Sequence, residues 1–428
     1  MAAPFDTLRA AVGADAVRFA PDSDRATNLA RPSCVVEPRD VDGVCATMAW
    51  AAAHGMIVRP RGGGSKIGWG RPPTAVDVTL GTHHLTGVVD HADADLTATV
   101  RAGTPLADVN RALAAKGQWI PLDPLGTPAA TIGGVLACND SGPRRHRYGA
   151  PRDVLIGVTF VTAEGTRARS GGRVVKNVAG YDLGRLLTGS HGSLGVIVEA
   201  TFKLSPLPAA SRTVTIGPSA IDRIAAVVRA VADSQLAPSA IEVAWPPARA
   251  LVRFETVAAA AVRQASDAVD LATSQGIGAR VVEGAEEDDV WRAHAESGSR
   301  LVRAPDAHDE VAQFRVGVPP ASLGAELEWL HEALSERAID GAFVGRAALG
   351  MGRVTLGGAR EALVDVVGQL QRRYEAVDGY VMMLVGSQAL RAIVDPWGPL
   401  GDAPRVMDAV KQQFDPNGTL GSWCGGRA

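Results

Sequence analysis

Three separated runs of glycine and other small residues constrain this sequence more than any other feature. The longest lies inside Leu122–Asp153 and contains Thr131, Gly133, Gly134, Asn139, Ser141 and Gly142. An upstream run is Arg61-Gly62-Gly63-Gly64-Ser65-Lys66, and a downstream motif extends from Lys176-Asn177-Val178-Ala179-Gly180-Tyr181-Asp182-Leu183 through the run from Thr188 to Ile197. Glycine adopts positive φ at little cost, so several backbone N–H groups can converge on one point and attract an anion. A single run of this kind is more often an ordinary loop, but three runs favour a binding site.

The composition is that of an ordinary globular protein. With 428 residues, the chain is long enough for two or three domains. A net charge of -3 gives no basic surface field, which argues against nucleic acid as a partner. No apolar run reaches the roughly 18 residues of a membrane-spanning helix, and charged residues interrupt the N-terminus, so we expect no signal peptide. We therefore expect a cytoplasmic protein whose attachment to the inner membrane, if any, is through partner proteins.

The cysteines and histidines show no pattern typical of a metal site. Cys34, Cys45, Cys138 and Cys424 have no C-x-x-C spacing, which argues against an iron–sulfur or zinc site held by this chain alone. His83 and His84 are the only adjacent histidines. Neighbouring residues on a strand point to opposite faces, so we expect these two histidines to lie on the surface without a metal.

Local patterns predict how the first half folds around the upstream glycine run. Asp40 has the position of a helix N-cap, because apolar residues recur at helical spacing after it. The strand Met56-Ile57-Val58 then leads into the run at Arg61. Further along, Thr104 is predicted as an N-cap with Pro105 at the first helical position. Residues 154–162 and 166–170 predict a β-hairpin.

The second half has a different pattern, in which strands and alanine-rich helices alternate. The predicted strands are 213–216, 240–245, 251–255, 279–282, 313–318, 342–346 and 380–385. A final helix at 405–414 ends in a turn at 415–418. This alternation is typical of a second α+β domain.

Taken together, the three runs resemble the FAD-binding half of the vanillyl-alcohol oxidase and p-cresol methylhydroxylase (PCMH) flavoprotein family, and within it the FAD-binding subunits of bacterial glycolate oxidases. The resemblance implies an α+β protein with a PCMH-type, two-part FAD-binding domain at residues 1–208. It further implies an α+β cap or substrate domain with an antiparallel sheet at 209–400. The tail, 401–428, is expected to return to the FAD domain.

The resemblance also implies which residues bind FAD. The pyrophosphate loop would be Arg61, Gly62, Gly63, Gly64 and Ser65. The pyrophosphate, ribityl chain and flavin edge would contact Thr131, Gly133, Gly134, Asn139, Ser141 and Gly142, followed by Tyr148 and Gly149, while Gly192, Gly195 and Ile197 would line the adenosine and flavin side. The upstream run has neither a Walker pattern nor G-x-G-x-x-G, which disfavours an ATP or nicotinamide enzyme. It has no histidine or cysteine to bond to flavin, so we expect non-covalent FAD.

For two sets of residues, the sequence leaves two possible roles open. Tyr181 either packs on the flavin, with Asp182 tuning the ring, or is a buried tyrosine whose hydroxyl is hydrogen-bonded by a neighbour. The arginines at 144, 145 and 147 either bind the phosphates or form a solvated or partner-facing patch.

The chemistry leaves the catalytic base unidentified. Stand-alone 2-hydroxy acid dehydrogenases of the family carry a His-x-His-x-Gly-Asp-Gly-Asn type of motif, and this chain has no histidine after His331. Oxidation of a 2-hydroxy acid requires a base for the hydroxyl proton and a cation for the carboxylate. Arg315, Arg346 and Arg353 are candidates for the carboxylate, against the alternative that they are solvated surface residues.

Three hypotheses about function follow. The first is an FAD-binding subunit of a glycolate (2-hydroxy acid) oxidase complex, which works with a homologous flavoprotein subunit and an iron–sulfur subunit. The second is an autonomous FAD-dependent oxidoreductase acting on D-lactate or a similar 2-hydroxy acid. The third is a cofactor-free interaction protein that has kept the fold.

Overall fold

The computed structural model describes residues 3–19, 32–71, 73, 75–124, 128–173, 180–298 and 310–421. The strands are β1 (Val17–Phe19), β2 (Cys34–Val36), β3 (Val58–Arg61), β4 (Val78–Gly81), β5 (Val88–Ala92), β6 (Thr97–Arg101), β7 (Gln118–Trp119), β8 (Leu155–Val161), β9 (Arg167–Gly171), β10 (Val196–Lys203), β11 (Ser205–Pro206), β12 (Ala210–Ile216), β13 (Ala240–Trp245), β14 (Arg249–Thr256), β15 (Ala279–Val282), β16 (Glu310–Gly317), β17 (Asp340–Arg346), β18 (Met351–Gly358) and β19 (Tyr380–Val385). The α-helices are α1 (Ala3–Val12), α2 (Val41–Ala53), α3 (Leu106–Ala114), α4 (Ile132–Cys138), α5 (Arg145–Tyr148), α6 (Pro151–Val154), α7 (Leu183–Leu187), α8 (Ile221–Ala232), α9 (Ala258–Ser274), α10 (Gly284–Ser297), α11 (Leu323–Glu336), α12 (Arg360–Glu375), α13 (Gln388–Ile393) and α14 (Ala403–Phe414).

Two units account for the chain. The first comprises Met1–Ser141, Gly149–Leu207 and Leu400–Ala428, and the second comprises Gly142–Tyr148 and Pro208–Pro399. The chain passes from the first unit to the second near residue 208 and returns to the first at Leu400. Residues 142–148 group with the second unit although they lie inside the stretch 1–208. Each unit is described separately below.

The first unit begins with a small mixed sheet whose strands follow the order β1-β2-β4-β3. β2, β4 and β3 are parallel, and β1 is antiparallel to β2. α2 connects β2 to β3, which lie parallel on either side of β4, and so forms the crossover that a connection between parallel strands requires. Its N-cap is Asp40, as predicted, whose side chain accepts a 2.8 Å hydrogen bond from the Gly43 backbone. Val44 and Met48 of α2 are fully buried in the core beside this sheet.

A second, antiparallel sheet in the first unit has the order β5-β6-β10-β8-β9. Its β8–β9 pairing confirms the predicted hairpin. The prediction for Thr104 is wrong, because α3 starts at Leu106 with Pro105 as its N-cap. The Thr104 hydroxyl instead donates to the Arg101 carbonyl and accepts from the Gly87 backbone, so it closes the turn after β6.

The C-terminal tail belongs to the first unit. The Lys411 ammonium donates a 2.9 Å hydrogen bond to the Ser193 carbonyl, and the Val58 backbone N–H donates to the Thr419 carbonyl at 2.7 Å. Leu420 is buried among the residues that pack on the mixed sheet. The tail thus contributes both a strand-edge hydrogen bond and a core side chain to this unit.

The second unit is one eight-stranded antiparallel sheet, as predicted, with the order β15-β12-β14-β13-β17-β18-β16-β19. Side chains of α8, α9, α11 and α12 cover one face and form the largest buried core in the described residues. The sequence analysis did not predict β18, whose three glycines lower its strand propensity. None of the described helices is long and apolar enough to span a lipid bilayer.

Candidate functional site

The upstream and central glycine runs lie directly against each other in the first unit. A Cβ built on Gly62 would lie 2.1 Å from Thr131 Oγ1, and one on Gly63 would lie 2.0 Å from the Ala129 carbonyl oxygen. Real Cβ atoms do not approach other atoms this closely, so only glycine fits at both positions. The backbone of the upstream run is therefore in contact with residues 129–131.

The downstream run joins the same cluster. The backbone N–H of Gly189 donates to the Leu136 carbonyl at 3.0 Å, and that of His191 donates to the Ala137 carbonyl at 2.8 Å. Gly192, with φ of 79°, would place a Cβ 3.6 Å from the ring of Pro60, immediately before the upstream run. All three runs therefore meet at one place. Lys176–Ala179, which the sequence analysis included in this motif, lie outside the described residues.

A buried ion pair also connects the upstream run to the central one. Lys66 Nζ lies 3.3 Å from Asp140 Oδ2, and the two side chains are only 6% and 2% exposed. The Lys66 ammonium also donates to Ser65 Oγ at 3.2 Å. Sequence analysis assigned no role to either residue of the pair. Their contact depends on the folded runs, and no local pattern signals it.

Two buried polar atoms at the junction of the central and downstream runs fit a polar ligand. Asn139 Oδ1 and Ser190 Oγ are both buried and make no hydrogen bond to any described residue. Asn139 ends α4 in the left-handed conformation, with φ of 45°. A buried polar atom without a partner costs about 1–3 kcal/mol, which a bound ligand would recover. Arg61, Gly63 and Ser65 are exposed, so the upstream loop is accessible to an anion.

Other residues of the central run are held by α4 and its neighbours. The Thr131 side chain caps α4 by accepting from the Gly134 backbone at 3.4 Å. Gly133 lies against Ala102, to whose carbonyl its N–H donates at 2.8 Å. Ser141 is buried and is the last residue of the first unit's N-terminal segment. The candidates Thr131 and Gly133 are thus part of the same cluster.

Three candidates have local roles that do not require a ligand. A Cβ on Gly195 would lie 2.8 Å from the Phe160 ring, and one on Gly149 would lie 2.8 Å from the Asp153 Cβ. The Ile197 side chain is buried in the hydrophobic core. Packing alone therefore explains why these positions carry two glycines and an isoleucine.

The structure contradicts one of the two interpretations of Tyr181 and Asp182, and packing on the flavin stays a prediction. The Tyr181 side chain is 92% exposed, so it is not a buried tyrosine, and the described residues do not enclose it against a ligand site. Asp182 caps α7, where its carboxylate accepts a 3.0 Å hydrogen bond from the Arg185 backbone. Asp182 therefore has a local role as a helix cap, which explains its presence without a flavin.

Gly142, Tyr148 and the neighbouring arginines belong to the second unit. The Arg144 guanidinium donates to both carboxylate oxygens of Glu255, through Nη2 at 2.6 Å and Nε at 3.0 Å. Arg147 donates to the Glu255 carbonyl at 3.2 Å. Burial alone would raise the pKa of Glu255, but the hydrogen bonds and charge of Arg144 outweigh it and hold that pKa below its usual range. Arg144 therefore forms a structural ion pair, and neither the phosphate role nor a solvated patch describes it.

The three arginines proposed for the substrate carboxylate lie on the sheet face opposite the helix-covered core of the second unit. Arg315 of β16 and Arg353 of β18 are direct cross-strand partners, and both are partly buried. Arg346, at the end of β17, is buried. The alternative of freely solvated surface arginines is wrong for Arg346. Guanidinium groups on one sheet face are suited to bidentate binding of a carboxylate.

A buried carboxylate–imidazole pair lies on the same sheet face, and sequence analysis missed it. His294 Nε2 of α10 is 3.1 Å from Glu242 Oε2 of β13, and Glu242 is fully buried. Arg346 Nε lies 3.9 Å from the other Glu242 oxygen. His146 is also close enough for Glu242 to act on its pKa, which burial lowers and Glu242 raises, with a net decrease. The available sequence signal was a glutamate in the otherwise apolar strand Ala-Ile-Glu-Val-Ala-Trp.

The expectation for His83 and His84 is wrong in its geometry. They lie in the turn after β4, and their ring centroids are 4.1 Å apart. Alternation of side chains applies only within a strand, so the turn brings the two rings to one side.

Comparisons with known proteins identify the first unit. Residues 32–171 match the model of a family described as FAD binding domain. Glycolate oxidase subunit GlcD of Bacillus subtilis is 36% identical over 211 residues, which are 49% of this chain and 45% of that protein. Glycolate oxidase subunit GlcE of Escherichia coli is 43% identical over 152 residues, 35% of this chain and 43% of that protein. D-lactate dehydrogenase of Archaeoglobus fulgidus is 36% identical over 172 residues, 40% of this chain and 38% of that protein. The matched part is thus less than half of each relative.

Solved structures extend the similarity of fold to the whole chain. Two structures of alkyldihydroxyacetonephosphate synthase have TM-scores of 0.75 and 0.72 and cover 100% and 97% of this chain, and 85% and 84% of their own chains, at 16% identity. At 16% identity, this similarity supports a shared fold and nothing about function. The predicted family resemblance and α+β architecture are confirmed, and the hypothesis of a cofactor-free protein loses its basis. Residues 32–171 thus match the FAD binding domain family, and this match together with the glycolate oxidase relatives supports FAD as the cofactor.

Proposed function

We propose that this chain is an FAD-dependent oxidoreductase of small 2-hydroxy acids and acts as the FAD-binding subunit of a complex of the glycolate oxidase type. The observation that carries the proposal is the convergence of all three glycine runs around Asn139 and Ser190, whose buried polar atoms have no partner among the described residues. The names of the relatives, glycolate oxidase subunits and D-lactate dehydrogenase, support the substrate class.

The first unit holds the cofactor in this proposal. The exposed loop from Arg61 to Ser65 binds the pyrophosphate through its backbone N–H groups and the Arg61 guanidinium. Asn139 and Ser190 hydrogen-bond the polar groups of the cofactor, while Gly192 leaves room for its close approach. When bound, FAD supplies the hydride acceptor for oxidation of the substrate carbon. The cofactor stays dissociable, because the loop has no side chain that bonds to flavin.

The second unit orients the substrate through its carboxylate. Arg346 is the leading candidate, because it is buried and a buried guanidinium binds an anion more strongly than an exposed one. Arg315 and Arg353, opposite each other on adjacent strands, add positive charge on the same face of the sheet. A carboxylate bound by these groups would be fixed in orientation, which lowers the entropic part of the activation barrier.

We propose that the activity depends on partner subunits, because the chain lacks the His-x-His-x-Gly-Asp-Gly-Asn type of motif of the stand-alone dehydrogenases. The complex would contain a homologous flavoprotein subunit and an iron–sulfur subunit and would lie in the cytoplasm. To test this, the chain is purified alone, loaded with FAD and mixed with glycolate without oxygen while flavin absorbance is recorded. We expect the flavin to remain oxidised until the partner subunits are added. Rapid bleaching by the isolated chain would overturn the dependent-subunit proposal but not the oxidoreductase one.

A second candidate function, an autonomous 2-hydroxy acid oxidoreductase, is favoured by the Glu242–His294 pair. A buried carboxylate hydrogen-bonded to an imidazole can accept the hydroxyl proton of a substrate, which is the role that the sequence left unassigned. A screen of the isolated chain with glycolate, D-lactate and D-2-hydroxyglutarate tests this candidate. If one of them bleaches the flavin, Glu242→Gln should slow the bleaching and change its pH profile, whereas Glu283→Gln, at an exposed position, should do neither.

A further inference from the structure

We propose that Glu37, His83 and His84 form a binding site for a divalent transition-metal ion of the zinc class on the first unit. Each residue offers one ligand atom, and these three atoms all lie within 4.8 Å of one another. Two imidazoles and a carboxylate are a ligand set suited to Zn²⁺, with a fourth position left for water. None of these three residues belongs to a glycine run, although Arg61 and Gly62 of the upstream run line the same cavity as Glu37 and His83.

The fold brings the three residues together through two parallel strands. Glu37 directly follows β2, and His83 and His84 lie in the turn directly after β4. Because β2 and β4 are parallel neighbours, with Val36 opposite Leu80, their carboxyl ends emerge at the same edge of the sheet. Positioning by two strands of a sheet makes the cluster more defined than one assembled from loops.

Contacts around Gly81 show how closely the cluster is packed. A Cβ on Gly81 would lie 3.1 Å from Glu37 Cγ and 3.2 Å from His83 Nδ1. His83 Nε2 is 3.7 Å from Glu37 Oε1. Ligand atoms of a tetrahedral zinc ion are about 3.4 Å apart, given bond lengths near 2.1 Å. The ligand atoms therefore need to move only a little closer together to bind a zinc ion. Both histidines are exposed, so their side chains can make this adjustment by a change of rotamer.

The site opens into a cavity that has room for a water ligand. A metal ion bound there would compete with the Arg18 guanidinium for the Glu37 carboxylate. A cavity of about 360 Å³ is lined by Glu37, His83, Arg18 and Arg61, among others. Arg18 donates to both oxygens of Glu37, through Nη2 at 2.7 Å and Nε at 3.2 Å, and its side chain is 60% exposed. A metal ion must take one of these oxygens from Arg18. The proposal therefore makes the unusual prediction that removal of this arginine strengthens metal binding.

The test is calorimetric titration of ZnCl₂ into the full-length, chelator-treated chain, with any affinity tag removed. We expect one zinc ion per chain, weakened about 10- to 100-fold or more in His83→Gln, His84→Gln and Glu37→Gln, since loss of a direct ligand costs at least as much as loss of a supporting group. Arg18→Gln should bind more tightly than the wild type. His54→Gln, which removes another exposed histidine of the same unit, should bind as the wild type does.

A second measurement separates binding from damage to the fold. Zinc should raise the Tm of the wild type and leave the Tm of His83→Gln unchanged, while both proteins melt alike without metal, because His83 is exposed. Three results would overturn the proposal: no saturable zinc binding by the wild type, binding that survives the loss of both histidines, or weaker binding by Arg18→Gln. Survival without the histidines would assign the metal to other groups such as the cysteines.

Discussion

Lys66 Nζ lies 3.3 Å from Asp140 Oδ2, and this buried pair joins the upstream glycine run to the end of the central run. Lys66→Met would leave the Asp140 carboxylate buried without this cation. Removal of one partner from a buried pair costs about 3–5 kcal/mol, so we expect a lower Tm and weaker FAD binding, measured by thermal unfolding and by fluorescence titration.

The matched control for this prediction is Lys116→Met. Lys116 Nζ pairs with Asp93 Oδ2 at 3.1 Å in the same unit, but the two side chains are 60% and 45% exposed. Pairs of this kind contribute about 0–1 kcal/mol. Equal effects of the two substitutions would show that burial of the Lys66–Asp140 pair has no importance for the site.

Gly63→Ala tests the contact between the upstream and central runs. The new Cβ would lie 2.0 Å from the Ala129 carbonyl oxygen, so one of the two backbone segments must move. Overpacking of this kind costs about 1–3 kcal/mol, and we expect the purified variant to retain much less FAD per chain. Gly68→Ala is the control, because a Cβ there meets nothing within 4 Å. Full FAD content in Gly63→Ala would exclude this contact from the cofactor site.

Features set by neighbours in the chain could be predicted from the sequence. The Asp40 cap depends on the following three residues, and the β8–β9 hairpin depends on a turn between two alternating segments. The convergence of the glycine runs was expected from the family resemblance, because no local rule brings such distant segments together. The residues within the runs that face a ligand were harder to predict, since Gly149 and Gly195 satisfy purely local packing.

Features that depend on tertiary contacts could not be predicted. Glu242 and His294 are 52 positions apart and lie on a strand and a helix whose packing the sequence does not reveal. Residues 142–148 join the second unit because Arg144 pairs with Glu255, 111 positions away. The strand β18 was missed because its glycines weaken the pattern, although it pairs with both β16 and β17.

Part of the loss of folding stability at acidic pH should come from Glu255. Its pKa in the folded state is below the ordinary value, because the ion pair with Arg144 outweighs the effect of burial. The stability from this pair is therefore present above the unfolded pKa of about 4.3 and is lost as the pH falls through the folded pKa. We expect the free energy of unfolding of Glu255→Gln to fall less between about pH 6 and pH 3 than that of the wild type. Glu283→Gln, whose exposed carboxylate pairs with Arg212, should retain the wild-type pH dependence.

Arg346→Met tests the assignment of the substrate carboxylate. Loss of a charge-assisted hydrogen bond costs about 1.5–3 kcal/mol, so KM for the 2-hydroxy acid should rise about 10- to 100-fold. FAD content should not change, because Arg346 lies in the second unit, whereas Arg61–Ser65, Asn139 and Ser190 lie in the first. Arg337→Met, at the end of α11 where the guanidinium pairs with Asp365, should leave KM unchanged. An unaltered KM in Arg346→Met would transfer the role to Arg315 or Arg353.

Asp415 anchors the C-terminal tail to the first unit and offers a test of how far that unit depends on it. Its buried carboxylate accepts hydrogen bonds from the backbone N–H groups of Thr419 and Leu420 at 2.7 and 2.8 Å and pairs with Lys411. Asp415→Ala leaves the two backbone donors without their acceptor, at a cost of about 1–3 kcal/mol for each, and removes the carboxylate partner of the mostly buried Lys411 ammonium, which keeps its hydrogen bond to the Ser193 carbonyl. We expect a lower Tm and faster loss of FAD, because Leu420 and the Thr419 carbonyl would no longer be held against the mixed sheet. Asp408→Ala, on the exposed face of α14, should have neither effect. If Asp415→Ala melts as the wild type does, the tail is an accessory to the first unit rather than a part of it.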